Sequence, residues 1–115
     1  MPIETKTLLL LTSAELGEGE PDLGAKLMRA FLGCVLEGER LPGRIICLNS
    51  GVFLTTAGSP VAEHLKALAA AGVAISSCGT CLEYYGRKDK LIVGAVGDMR
   101  QTVAALQTAE RVIRP

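Results

Sequence analysis

The chain has 115 residues, of which 49% are hydrophobic, so we expect a single domain over residues 1–115 with its own core. Twelve basic and twelve acidic residues cancel, and no basic face is visible, which argues against nucleic-acid binding. No apolar run approaches the roughly 20 residues that span a bilayer, and the first residues lack a signal-peptide pattern. We therefore expect no membrane association and a cytoplasmic location.

The first third of the chain predicts one strand and one helix. Residues 7–12 form a continuous apolar run, and its length and polar end are typical of a strand buried on both faces. A glycine-containing loop follows. Pro21 suits the first position of a helix, and apolar residues at helical spacing extend that helix to Glu37, before Gly38.

The middle of the chain repeats this order. Residues 44–48 predict a second strand, which Asn49-Ser50-Gly51 closes, and residues 52–57 are ambiguous between a loop and a helical turn. Ser59-Pro60 is typical of a helix start, so a second helix is expected to run from there until just before Gly72. Residues 73–77 predict the third strand.

The last third predicts a short helix over 80–85, a fourth strand over 91–96, a helix over 99–108 with Asp98 as its cap, and a short strand over 111–114. Strands that alternate with helices favour a parallel sheet with right-handed crossovers. The expected fold is therefore an α/β, three-layer α/β/α sandwich around a mainly parallel sheet of about five strands.

A Cys-x-x-Cys pair, Cys78 and Cys81, follows the third predicted strand. The start of a helix stabilises a thiolate, which favours Cys78 as the reactive sulfur. Gly79 removes bulk beside Cys78, so Cys78 is also expected to be the more accessible of the two thiols. Cys81 lies one helical turn away, close enough for a disulfide or for a relayed persulfide. Two inert, buried cysteines are the alternative interpretation.

A pocket is expected around the pair, because ligands collect at the carboxyl ends of parallel strands. Tyr84 and Tyr85 are expected to pack against it or border it. Asn49 and its neighbours could offer amides to an anion, although a plain turn is the simpler interpretation of Gly51. The residues assigned to the pocket are Ser13, Asn49, Ser50, Gly51, Gly79, Thr80 and Tyr84.

A zinc site would need two further ligands near the cysteine pair. Cys34 and Cys47 are isolated in the sequence and are expected to be small core residues. His64, the single histidine, is expected at the surface of the second helix. Neither a metal nor an organic cofactor is therefore expected.

Three segments together resemble the DsrE-like sulfur-relay family, in particular the DsrE-like C-terminal domain of the YedF proteins, which is described as sulfurtransferase-like and associated with selenium metabolism. The resemblance covers about residues 7–108 and is most specific at SSCGTCLEYYG. It implies an α/β/α fold and an oligomer. The segments are LLLLTSAELGEGEPDLGAKLMRAFL, LNSGVFLTTAGSPVAEHLKAL and GVAISSCGTCLEYYGRKDKLIVGAVGDM.

The resemblance also implies a role for Cys78, which stands where related proteins carry their sulfur-bearing cysteine, while Cys81 has no counterpart in that branch. It implies a sulfurtransferase-like carrier of sulfur or selenium. A TusA-like domain precedes the YedF domain, so the expected sulfur donor is a TusA-like protein acting in trans. A dithiol oxidoreductase and a non-catalytic binding module remain alternatives. The neutral, Ala- and Leu-rich composition also favours a homo-oligomer.

Overall fold

A computed structural model describes residues 2–115 and contains one five-stranded sheet in which every neighbouring pair of strands is parallel. The order across the sheet is β4-β3-β2-β1-β5. The predicted fold class is confirmed. The strands are β1 (Ile3–Leu11), β2 (Leu41–Cys47), β3 (Ala74–Cys78), β4 (Ala95–Gly97) and β5 (Arg111–Ile113).

Four α-helices and one 3-10 helix connect the strands. None of the helices in residues 2–115 has the length and apolar character needed to cross a bilayer. They are α1 (Pro21–Glu37), the 3-10 helix (Asn49–Leu54), α2 (Ala62–Ala70), α3 (Gly79–Tyr84) and α4 (Met99–Thr108).

The larger core lies on the sheet face that we call the first face, beneath α1, α2 and α3. Helix α1 contributes Met28 and Leu32, and α2 contributes Leu65 and Leu68, at the spacings of four and three residues that keep side chains on one side of a helix. The strands beneath them supply buried aliphatic side chains at alternate positions, which are Leu9, Leu11, Ile45, Cys47 and Ile75.

The opposite, second face is covered by α4 alone. Its core consists of Leu8, Leu10 and Ile46, against which Ala105 and Ala109 pack. Between α4 and the strands lies an open cavity of about 690 Å³. Helix α4 leaves several apolar side chains exposed, namely Met99, Val103 and Leu106.

Two predicted elements are placed differently in the structure. The fourth strand spans 95–97 and not 91–96, because Leu91 instead forms an antiparallel bridge with Thr56, and Gly94, at φ +81°, turns the chain before β4 begins. Helix α2 begins at Ala62 and not at Ser59, whose hydroxyl accepts from the Val61 N–H within the turn that precedes the helix.

Two predicted side-chain placements are also wrong. Cys34 is exposed on α1 and does not belong to the core, because the buried positions of that helix are Gly24, Met28 and Leu32. His64 is half-buried between α2 and α1, where its ring lies next to Gly33. Its Nδ1 is buried and finds no hydrogen-bond partner within residues 2–115. Cys47 is buried, as predicted.

Candidate functional site

The carboxyl ends of β1, β2 and β3 lie side by side, since Leu11 pairs with Cys47 and Cys47 pairs with Ser77. The three loops that follow these strands therefore meet at one edge of the sheet, where parallel α/β proteins place their ligands. The Leu48 N–H donates to the Leu11 carbonyl at 2.9 Å and joins the first two loops.

Gly51 allows these two loops to approach closely. A Cβ at position 51 would collide with the backbone carbonyl of Leu11, so a side chain there would force the loops apart. Ser50 adds a second link, because its Oγ accepts from the Ala14 N–H at 3.3 Å. Gly51 and Ser50, both predicted as pocket residues, thus hold the loops after β1 and β2 together at this edge of the sheet.

Asn49 occupies the left-handed region of backbone conformation, with φ at 52°. Asparagine tolerates this region better than most residues with a side chain. In this conformation its backbone N–H donates to the Cys81 Sγ at 3.1 Å. Its side-chain Oδ1 accepts from the Tyr85 hydroxyl at 2.9 Å. Asn49 therefore links the loop after β2 to both ends of α3.

Cys78 ends β3 and Cys81 lies in the first turn of α3, so the two sulfurs lie at the junction of a strand and a helix. Cys78 is only 5% exposed, whereas Cys81 is half-buried. The expectation that Gly79 makes Cys78 the more accessible thiol is wrong, because Gly79 packs against Val96 and the Gly97 carbonyl of β4.

Several neighbours act on the pKa of the Cys81 thiol, and the net direction is upward. Burial raises the pKa most, and the hydrogen bond shared with Cys78 raises it further. The Asn49 N–H lowers it, and the charge of a Cys78 thiolate raises it. Cys81 therefore holds its proton more firmly than an unperturbed cysteine and can donate it to the sulfur beside it.

A cavity of about 580 Å³ opens at this edge, and Cys81 lies in its wall. Charged side chains of both signs surround the opening. Ser13 also lines the cavity, and its Oγ accepts from the Glu15 N–H at 3.0 Å. The cavity is lined by Thr12, Ser13, Glu15, Gly17, Glu18, Leu48, Asn49, Cys81, Met99, Arg114 and Pro115.

Of the seven residues assigned to the pocket from the sequence, Ser13 and Asn49 line the cavity, whereas Ser50, Gly51, Gly79, Thr80 and Tyr84 do not. Tyr84 is 83% exposed, and Thr80 is also exposed. The assignment of Tyr84 to the pocket is wrong, because the turn of α3 directs the next residue, Tyr85, towards Asn49. Thr80 does not line the cavity that contains Cys81.

Tyr85 belongs to a stack of side chains that the sequence did not reveal. Its ring packs edge-on against the Phe53 ring, with 4.7 Å between the two ring centres. The Arg87 guanidinium lies 4.8 Å from the centre of the Phe53 ring. Arg87 is fixed in turn by donating to the Thr56 Oγ1 at 2.7 Å and to the Ala57 carbonyl. The only sequence feature that could have indicated this stack is the clustering of Tyr84, Tyr85 and Arg87 around Gly86.

The other two cysteines do not line this cavity. Burial raises the pKa of Cys47 to about 12, so this thiol stays protonated and unreactive at neutral pH. Cys34 lines a groove between α1 and β5. Across residues 2–115, His, Cys, Asp and Glu nowhere gather in a group of three or more that could hold a metal ion.

Comparison with solved structures shows the same fold in three proteins. The YchN protein of Escherichia coli has a TM-score of 0.63 at 17% identity, with 96% of this chain and 99% of that chain covered. MTH1491 of Methanobacterium thermoautotrophicum, described as a protein of unknown function, has a TM-score of 0.69 at 15% sequence identity, and the match covers both chains completely. BT1422 of Bacteroides thetaiotaomicron, also described as a protein of unknown function, has a TM-score of 0.63 at 18% sequence identity, and the match covers 96% of this chain and 95% of that chain.

Sequence comparison with curated proteins gives no match. The sequence profile of the DsrE/DsrF-like family, in contrast, matches residues 44–115. This match covers more than half of the chain and includes both Asn49 and the Cys78–Cys81 pair. The resemblance to the DsrE-like family inferred from the sequence is thereby confirmed, and the chain belongs to the DsrE/DsrF-like family.

Proposed function

We propose that this protein is a sulfurtransferase-like persulfide carrier that uses the Cys78–Cys81 pair. The observation that carries the proposal is the position of the pair at the carboxyl edge of the sheet, where Cys78 ends β3, Cys81 follows in the first turn of α3 and the Cys81 Sγ accepts a hydrogen bond from the Asn49 N–H. Membership in a sulfur-relay-type family supports the same chemistry. No metal or organic cofactor is required for it.

In the proposed loading step, the Cys78 thiolate attacks the terminal sulfur of a donor persulfide. The S–S bond of the donor breaks, a new S–S bond forms on Cys78, and the donor leaves as a thiolate, while the proton of the persulfide moves with the transferred sulfur. No net oxidation occurs, because a sulfane sulfur moves from one thiol to another. Cys81, whose pKa is raised chiefly by burial, keeps its proton during this step.

Release can follow two routes. An acceptor thiolate can attack the outer sulfur and regenerate Cys78. Alternatively, the Cys81 thiolate attacks the Cys78 Sγ, which forms the Cys78–Cys81 disulfide and expels hydrosulfide. An external dithiol must then supply two electrons to restore the pair. Two cysteines three residues apart in a first helical turn are within the range that a disulfide spans.

The proposed partners follow from this chemistry. The donor is a protein persulfide in trans, with a TusA-like carrier as the expected class, and selenium in place of sulfur is a variant of the same transfer, as in the YedF-type proteins. All four cysteines are free, which is consistent with a reducing, cytoplasmic setting. The exposed apolar residues of α4 suit a homo-oligomer.

The test is anaerobic incubation with polysulfide, followed by measurement of the intact mass. Loading adds the mass of one sulfur atom, and dithiothreitol removes it. Cys34→Ser is the matched control, because Cys34 is exposed but far from the pair, and this variant should load like the parent. If Cys34→Ser alone loses the added sulfur, the carrier is Cys34, and the proposal is wrong.

Single variants of the pair separate the roles of the two sulfurs. Cys78→Ser should abolish loading. Cys81→Ser should still load, fail to form the internal disulfide and therefore hold its sulfur longer. If Cys81→Ser abolishes loading and Cys78→Ser does not, Cys81 is the sulfur carrier and the two roles are exchanged. This outcome has a structural basis, because Cys81 is more exposed than Cys78. If both variants load like the parent, the cysteine pair is structural.

A dithiol oxidoreductase is the second candidate, and the spacing of the two cysteines, with Cys78 at the end of β3 and Cys81 in the first turn of α3, is the observation that favours it. Such an enzyme would cycle between dithiol and disulfide without a persulfide. Redox titration against glutathione, read as a mass loss of two hydrogens, tests this cycle directly. A pair that neither loads sulfur nor forms a disulfide would indicate a non-catalytic binding module.

A further inference from the structure

Cys81 receives its hydrogen bond from a backbone N–H that depends on an unusual local conformation. Asn49 has φ at 52°, and in this conformation its N–H donates to the Cys81 Sγ at a distance of 3.1 Å. An asparagine in a solvent-exposed turn is free to leave the left-handed region unless something holds it. Asn49 is itself exposed, so packing around its side chain does not hold it.

Backbone hydrogen bonds of Leu48 and Gly51 flank Asn49, and its side chain is held by Tyr85. The Tyr85 hydroxyl donates to the Asn49 Oδ1 at 2.9 Å, from the end of the helix whose first turn contains Cys81. The Tyr85 ring is fixed against Phe53, and Arg87 covers the Phe53 ring. A series of contacts therefore runs from Arg87 through two aromatic rings and Asn49 to the sulfur.

We propose that Tyr85 is a positioning residue for the Cys81 sulfur, acting through Asn49, whose backbone N–H it keeps directed at that sulfur. The functional importance of this inference rests on the proposed role of the cysteine pair, whereas its test, the reactivity of Cys81, does not depend on that role. A hydrogen bond from an amide to sulfur favours the thiolate, so losing it raises the pKa of Cys81. Cys78, Glu15, Glu18 and Arg114 are the other titratable or charged groups around the sulfur and its cavity.

The measurement is the rate of iodoacetamide alkylation of Cys81 against pH, in a background with Cys34→Ser and Cys78→Ser. Cys81 then reacts alone, because Cys47 is buried with its pKa raised to about 12. Tyr85→Phe keeps the ring and removes the hydroxyl. At pH values below the midpoint of the rate-against-pH curve, we expect Tyr85→Phe to alkylate about three- to tenfold more slowly. The midpoint itself should move to higher pH, because the thiolate loses a hydrogen bond that stabilises its charge.

Tyr84→Phe is the matched control. Tyr84 is the adjacent tyrosine, it is 83% exposed, and its hydroxyl makes no hydrogen bond within residues 2–115, so the same loss of a hydroxyl should leave the alkylation profile unchanged. A Tyr85→Phe profile that overlaps the Tyr84→Phe profile would overturn the proposal, whatever the pair proves to do with persulfides.

A double-mutant cycle tests whether Tyr85 acts through Asn49. Asn49→Gly removes the carboxamide, and glycine still adopts a positive φ, so the loop can form without the tether. We expect Asn49→Gly to slow alkylation by a similar factor, and Tyr85→Phe to add nothing further in that variant. Independent, multiplying effects would show that Tyr85 acts on the sulfur by another route and would overturn the inference.

Discussion

The two faces of the sheet are covered very differently, although the same strands form both. The first face packs beneath α1, α2 and α3 and has an extensive core that reaches the candidate site through Val52, Leu54 and Leu82. The second face has three buried core residues and a single helix, α4. The site is built on the better packed face, where loop positions are fixed by buried neighbours.

The comparison is sharpest at neighbouring residues of β1. Leu11 is fully buried on the first face, whereas Leu10 is 8% exposed on the second. We expect Leu11→Ala to lower the free energy of unfolding by about 4 kcal/mol and Leu10→Ala by about 2 kcal/mol, since the cost grows with the cavity that remains. Urea unfolding followed by circular dichroism measures both, and equal losses would mean that the faces are equally well packed.

Gly51 tests how strictly the first face fixes the loops of the site. Gly51→Ala should destabilise the protein by about 2 kcal/mol, because its Cβ meets the Leu11 carbonyl and the backbone must shift. Gly19→Ala is the control, since a Cβ there has no heavy atom within 4 Å. Thermal unfolding of the two variants gives the answer. Similar melting temperatures would show that the loops move apart without cost.

Helix α4 depends on its cap more than α1 does. Asp98 accepts from the Gln101 N–H at 2.8 Å, and the Gln101 side chain accepts from the Asp98 N–H in return, whereas α1 has no side-chain cap. Asp98→Ala should cost about 1 kcal/mol of unfolding free energy. Asp89→Ala, in an exposed turn, should cost much less in the same urea titration. No difference between them would mean that packing alone holds α4.

The smallest effect on stability is expected for Val103→Glu at an exposed position of α4. Val103 is 44% exposed, so the free energy of unfolding of one chain should change by no more than about 0.5 kcal/mol. If the second face mediates the proposed self-association, light scattering should fall to the mass of one chain, 12.1 kDa. Gln107→Glu adds the same charge at an exposed position of α4 as a control. A parent already at 12.1 kDa would refute the oligomer.

Most of the fold followed from local patterns. The continuous apolar runs predicted β1, β2 and β3 to within a few residues, and Pro21 and Asp98 marked the starts of α1 and α4. The fourth strand was misplaced because residues 91–93 are as apolar as a strand. Their hydrogen bonds go to the segment around Thr55 and Thr56, which no local pattern reveals.

The site was predicted less completely than the fold. The sequence located the cysteine pair and Asn49, because each follows a predicted strand. It did not distinguish Tyr84 from Tyr85, since the orientation of a six-residue helix is set by its contacts with Asn49 and Phe53, far away in sequence. The relative exposure of the two cysteines likewise depends on how Gly79 meets β4.

The strand order also bears on how the chain is made. Strand β1 lies between β2 and β5, and its Thr7 pairs with Arg111. During synthesis β1 emerges early, yet one of its edges stays without its partner until the last strand has left the ribosome. Such distant pairing slows folding, and an unpaired apolar strand can associate with other chains. We therefore expect nascent chains of this protein to need protection by chaperones until residue 113 has emerged.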